Sequence, residues 1–198
     1  MEFAIGDPTD SDHCVALQHE MFRCHDAFKE TEQYAMIMIR RPGDRWISYK
    51  TYNAYSDFVH QLYEFMVGTC ARDLVNTEIT NKNGHVKIKI IEGYITHHIE
   101  RILTTRREAI RNGTAPSWEN DLDYYPEKAP EHFARDFRRC RNKVSGHVAC
   151  ERARELSLSD FYNKYHKYLY LFYRDALAFW GIRDREFPDL KEITEFTI

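Results

Sequence analysis

The chain has 198 residues, a mass of 23.7 kDa and a formal net charge of −3. Its 43% hydrophobic and 30% charged residues are the composition of a folded globular protein, which excludes a disordered one. No run approaches the roughly 18 apolar residues of a membrane span, and the acidic N-terminus has no secretory-type apolar segment, so a cytoplasmic protein is expected.

Apolar residues recur at helical spacing along almost the whole chain. Leu17, Met21, Cys24, Phe28, Thr31, Ala35 and Met38 step by fours and threes, which predicts a first helix over about 11–40. Residues 35–39 alone would also read as a strand, but the longer period overrides that. Arg41-Pro42-Gly43-Asp44 breaks the chain. Tyr55, Phe58, Leu62, Phe65 and Thr69 predict a second helix over about 47–75. Asn81-Lys82-Asn83-Gly84 is a turn. Ile88, Ile91, Ile95, Ile99, Ile102 and Ile110 predict a third over about 86–112, although 86–90 alternates as a strand would. Asn112-Gly113 closes it.

A polar loop with three prolines spans 114–130 and offers a contact surface. A fourth helix is expected over about 131–155. Ser157 to Asp160 has the pattern of a capping box opening a fifth over about 158–181, with Phe161, Tyr165, Tyr168, Phe172, Ala176 and Phe179 on one side. Gly181 ends it, and the tail over 182–198 is expected to dock loosely. The expected fold is all-α: one domain over 1–198, a bundle of about five long helices.

Five cysteines, at 14, 24, 70, 140 and 150, include no C-x-x-C pair, and Cys140 and Cys150 are too far apart along a helix to bridge. Reduced thiols are expected. His97 and Arg101 are neighbours at i, i+4 on the third helix, and His19 and His25 do not share a face of the first. H-E-x-x-H, Walker A, G-x-G-x-x-G and G-x-S-x-G patterns are absent, so no metal and no cofactor are expected. Tyr162, Tyr165, Tyr168, Tyr170 and Tyr173 on the fifth helix suit a core or dimer interface, with base stacking as the alternative.

Positive charge collects on the fourth helix. Arg135, Arg138, Arg139, Arg141, Lys143, Arg152 and Arg154 face only Asp136 and Glu151, a local balance of +5. Arg101, Arg106, Arg107 and Arg111 add to it from the third. Such a run is a solvated helix face or a phosphate-binding surface. Within it lies Arg141-Asn142-Lys143-Val144-Ser145-Gly146-His147. Arginine grips phosphate and stays charged, while histidine moves protons near neutrality. On a straight helix His147 sits about 120° around and about 9 Å along from Arg141. The two flank an apolar stripe of Phe133, Phe137, Cys140, Val144 and Val148.

This segment resembles the signature of the HEPN superfamily, all-helical domains with Arg, four to six residues, then His, and often a polar residue beside the Arg. Asn142, within an all-helical chain, gives the spacing its specificity. The resemblance implies a metal-independent endoribonuclease of a defence or toxin system, cleaving RNA through its own 2′-hydroxyl. It implies Arg141, Asn142 and His147 as the catalytic residues, Arg138 and Lys143 as RNA-backbone contacts, and a homodimer in which two motifs meet. An antitoxin or regulatory protein is a further implied partner. Some such toxins carry a modifiable Tyr two residues after the His; Ala149 stands there. The alternatives are a catalytically silent helical scaffold binding a protein or RNA, and a small-molecule or nucleotide-binding bundle.

Overall fold

Asp7 and Asp44 begin the two longest helices, each by accepting backbone N–H groups that a helix leaves orphaned at its start. Asp7 takes the N–H of Asp10 at 2.8 Å, with Pro8 in the first turn, and opens α1 (Pro8–Arg40). Asp44 takes Trp46 and Ile47 at 3.0 and 3.2 Å and opens α2 (Arg45–Asp73). Between them Gly43 has φ +86°, a conformation glycine adopts without strain, and the chain reverses. A computed structural model describes residues 2–81, 85–145, 157–180, 195 and 197. The remaining elements are α3 (Glu78–Asn81), α4 (His85–Arg111), a 3-10 turn (Leu122–Tyr124), α5 (Phe133–Ser145) and α6 (Leu158–Trp180).

The fold is an all-α bundle with five long helices, as the apolar period predicts. Residues 35–39 continue α1, and 86–90 lie in α4. Among the described residues there is no strand, only an isolated bridge between Glu2 and Asn76. The short α3 was not expected. Gly113, at φ +66°, ends α4 where the Asn-Gly pair predicts. Ser157 caps α6 through its hydroxyl, which accepts from the N–H of Asp160 at 3.2 Å. The second half of the expected fourth helix, 146–155, Gly181 and most of the tail lie outside the described residues.

One hydrophobic cluster takes residues from all five long helices. Ile91, Ile95, Ile99 and Ile102 bury their row on α4, and Phe133, Phe137 and Cys140 bury theirs on α5. Rings interlock at the centre. Phe137 meets Tyr63 edge-on at 5.1 Å and stacks on Phe133 at 5.9 Å, while Phe28 stacks on Tyr173 at 4.3 Å. Two stripes overrun this core. Phe179, at 67% exposure, lies at the end of α6, and Met38 is exposed near the end of α1. For Met38 the reason is length: α1 has 33 residues and α6 has 23, so α1 is about 15 Å the longer. The far end of the α1–α2 hairpin overhangs the bundle, leaving Ile39, Trp46 and Tyr49 exposed.

The proline-containing loop is tied down on α4. Glu119 accepts from Arg106 at 2.6 Å and from the hydroxyl of Tyr125, whose ring is buried. Four cysteines, Cys14, Cys24, Cys70 and Cys140, are unpaired thiols; Cys150 lies outside the described residues. No described helix is long and apolar enough to cross a membrane.

Phe137 is fully buried among rings from α2, α5 and α6. Phe137→Ala is expected to cost about 3–5 kcal/mol, because the cavity it leaves cannot be refilled by stiff aromatic neighbours. Chemical denaturation should show a lower midpoint with an unchanged slope; a loss under about 1 kcal/mol would contradict this packing.

Candidate active site

Helix α5 buries Phe133, Phe137 and Cys140, which leaves Arg138 and Arg141 on its flanks against different neighbours. Arg138 Nε donates to Glu92 Oε1 of α4 at 2.7 Å. Arg141 Nε donates to Glu64 Oε1 of α2 at 2.6 Å, and its Nη1 donates to Asn142 Oδ1 at 2.9 Å. Tyr63 lies between the two pairs, with the Arg141 guanidinium 5.6 Å from its ring centre. Burial pushes the Tyr63 phenol up to about 12, against the pull of both arginines. The Arg141–Glu64 pair keeps about a third of each side chain exposed, at 31% and 32%, so it borders solvent. Asn142 is exposed and Lys143 half-buried. The fold therefore brings Arg138 and Arg141 to one tyrosine, with Asn142 bonded to Arg141. His147 lies outside the described residues, as do Ala149, Arg152 and Arg154.

Sequence reasoning missed the groups that α1 and α2 bring alongside. Asp57, His60, Gln61 and Glu64 form a polar row at i, i+3, i+4 and i+7 on a helix otherwise rich in apolar and aromatic residues. That spacing was the available signal, and the stronger apolar period of the same helix masked it. Glu20 and Arg23 of α1 face this row. Gln61 sits between them, its amide nitrogen toward Glu20 and its oxygen accepting from Arg23 Nη2 at 2.9 Å. Burial pushes Glu20 up to about 6, against Arg23 and with help from Glu64. Burial also holds His60 below the ordinary histidine range, with Glu64 opposing and Arg141 and Arg23 adding to the shift.

The His60 Nδ1 is enclosed without a hydrogen-bond partner. An orphaned buried acceptor costs less than an orphaned N–H, so this enclosure favours the tautomer with the proton on Nε2. Chemically, the seam has a cation oriented by a carboxylate and an amide, a carboxyl that titrates near neutrality, and an uncharged imidazole. These are the elements of phosphate binding and proton transfer.

A second polar cluster lies between α4 and α6. His98 Nε2 is 3.2 Å from Asp175 Oδ2, which also accepts from Arg101 at 3.0 Å. It is His98, at i, i+3 to Arg101, that forms this pair and not His97, because α6 packs on the His98 side. His25 Nδ1 lies 2.6 Å from the Tyr173 hydroxyl. Among the described residues no three His, Cys, Asp or Glu side chains group as metal ligands. Comparison with family models, curated proteins and solved structures finds no match to the chain.

Glu20 binds its proton more tightly in the folded chain, at about 6 against an ordinary 4.5, so its stability contribution falls as pH rises through that window. Glu20→Gln removes the buried charge and keeps the amide-compatible shape. It is expected to stabilise the protein by about 1–2 kcal/mol at about pH 7.5 and by little at about pH 4.5. Paired denaturation curves at the two pH values check this; equal effects at both would contradict the burial of a titrating carboxyl.

Proposed function

We propose that this protein is a metal-independent endoribonuclease of a defence or toxin system, with Arg141 as its phosphate clamp. The observation that supports this reading is the fixed but solvent-bordering guanidinium of Arg141. Glu64 and Asn142 set its direction, and the Tyr63 ring supports its face. A clamp held in advance spends no orientation at the moment of reaction, and charge developing on a phosphorane is where such a group acts most strongly.

The proposed reaction uses the substrate's own 2′-hydroxyl. Its oxygen bonds to phosphorus as its proton leaves, and the bond from phosphorus to the 5′-oxygen breaks as that oxygen gains a proton. His147 carries one of these protons, and Arg141 holds the non-bridging oxygens. Asn142 positions the guanidinium, and Arg138 and Lys143 attract the backbone. The products are a 2′,3′-cyclic phosphate and a 5′-hydroxyl. On a straight helix Arg141 and His147 would point about 120° apart, and a homodimer whose two motifs share a cleft would bring them to one phosphate. RNA is the partner, with an antitoxin or regulatory protein as a second.

A second reading, a catalytically silent helical scaffold binding a protein or RNA, has an observation in its favour. Arg138 and Arg141 each pair with a carboxylate of a neighbouring helix, as arginines that only fasten a bundle also do.

Purified protein incubated with labelled RNA separates the two. Arg141→Ala and His147→Ala are each expected to lower the cleavage rate about 100-fold or more, with DNA spared and little change in EDTA. Arg138→Ala should weaken binding and flatten its salt dependence. Sedimentation should give about twice the 23.7 kDa of one chain. Wild-type rates in a folded Arg141→Ala variant would remove the mechanism and leave the scaffold reading ahead.

A further inference from the structure

We infer that the tip of the α1–α2 hairpin docks on an anionic lipid surface, with Ile39 and Trp46 entering the interface and Arg40, Arg41 and Arg45 meeting the headgroups. The inference is independent of the ribonuclease reading and stands whether or not the protein cleaves RNA.

Exposed apolar side chains are not spread evenly over the molecule. Among the described residues, six of the thirteen large hydrophobic side chains that stay exposed lie between 36 and 52, at or beside the turn. Met36 and Ile39 are neighbours at i, i+3 near the end of α1, and Ile39 is 74% exposed. Trp46, 62% exposed, and Tyr49 are neighbours at i, i+3 at the start of α2, with ring centres 5.5 Å apart. The two groups flank the turn over Pro42 and Gly43, so this apolar surface is a protruding end and not a groove. A fluid bilayer shapes itself around such an end, whereas a folded partner would have to present a matching hollow. Tryptophan and tyrosine are also the side chains that settle where headgroups meet acyl chains.

The charge around the tip selects an anionic surface. Between Glu32 and Asp57 the chain carries Arg40, Arg41, Arg45 and Lys50 against Asp44, a balance of +3 in a protein whose net charge is −3. Arg40, Arg41 and Arg45 are exposed, and among the described residues none of them pairs with a carboxylate. In this they differ from Arg138 and Arg141, which Glu92 and Glu64 hold. Asp44 is the cap of α2, where the positive end of the helix offsets its charge. Lys50 Nζ lies 5.1 Å from the Trp46 ring centre, a cation beside the apolar surface. RNA would match the arginines and leave Met36 and Ile39 in water. An apolar protein face would match Ile39 and Trp46 and leave three arginines unpaired. Anionic headgroups above acyl chains match both.

The turn also satisfies much of its own backbone. The Arg41 N–H donates to the Ile37 carbonyl at 2.9 Å, and the Asp44 N–H to the Arg41 carbonyl at 3.4 Å. Pro42 has no N–H to satisfy, and Asp44 accepts those of Trp46 and Ile47. These groups lose no hydrogen bond when the tip enters the interface.

The whole chain is mixed with vesicles of phosphatidylcholine and phosphatidylglycerol, or of phosphatidylcholine alone, and bound protein is read by flotation. Binding is expected to the anionic vesicles and should weaken as salt rises. Each arginine at an anionic surface contributes about fivefold, so the triple variant Arg40→Gln, Arg41→Gln, Arg45→Gln should bind roughly 100-fold more weakly. Trp46→Ser should bind about tenfold more weakly. Vesicles brominated on the acyl chains should quench the wild-type tryptophan fluorescence, and Trp46→Phe should lose that quenching while still floating. Trp118 and Trp180 lie against Arg174 and Arg72, away from the turn. All the substituted side chains are exposed, so the core is untouched. Failure of the wild type to float with anionic vesicles overturns the inference, as does a triple variant that floats like the wild type. If vesicles do not bind but a single-stranded 2′-O-methyl RNA does, and the triple variant loses it, the tip is a nucleic-acid contact and the inference falls. It falls equally if vesicles do not bind and Ile39→Ser with Trp46→Ser splits a dimer, since the tip is then a contact between copies.

Discussion

Leu17 of α1 lies so close to Gly68 of α2 that a Cβ at position 68 would come within 2.6 Å of the leucine side chain. The backbones of the two longest helices meet there, and His13 adds a 2.9 Å contact to the Gly68 carbonyl. Nearby, Asp10 is buried and accepts two hydrogen bonds from Arg72, at 2.8 and 3.2 Å. The arginine holds the Asp10 carboxyl below the usual carboxylate range. The α1–α2 hairpin is thus closed at its open end by a half-buried, bidentate ion pair, and at its other end by the turn over Pro42 and Gly43. Helices α4, α5 and α6 then cover the near part of one rigid hairpin. The far part is left over, and Met38, Ile39 and Tyr52 on it face a groove shared with Tyr162 and His166 of α6.

The same hairpin decides what the arginines do. Read along the chain, the basic residues of α5 form a run of excess charge. In the bundle, α5 lies between α2 and α4, and each of those helices offers a carboxylate at the height of an arginine. Glu64 meets Arg141 and Glu92 meets Arg138. On α4, Arg106 and Arg107 turn to the proline-containing loop, to Glu119 and to the Tyr125 carbonyl. Arg138 and Arg141 are therefore held in cross-helix pairs rather than standing free on a cationic face. Such pairs orient a guanidinium sharply, which suits a clamp, and they temper its long-range pull on phosphate.

The architecture was legible in the residues because it rests on local rules. A period of about 3.6 marks each long helix, Ser157 marks a start, and Asn112-Gly113 marks an end. Each of these signals acts within a few residues, so no knowledge of the fold is needed to see it. The period also resolved 35–39, where β propensity alone would have misled, because the buried stripe of α1 begins at Leu17 and fixes the phase of the later turns. Arg141 and Asn142 were legible in the same way, as neighbours in one turn.

Tertiary structure alone decided which groups share a site. Glu20 and Arg23, His60, Gln61 and Glu64, and Arg141 come from three helices, and their meeting depends on the rotation of each helix about its axis. That rotation is set by how Phe137, Tyr63 and Leu17 interlock, a many-body packing condition that spacing does not encode. The same holds for the shift of Glu20 toward neutrality, which needs burial by a second helix. It holds for the choice of His98 over His97, which turns on where α6 lies, and for the burial of Tyr165, Tyr168 and Tyr173 while Tyr162 stays exposed. Helical period places residues on a face; the partner that covers the face, or leaves it open, is settled only when the helices pack.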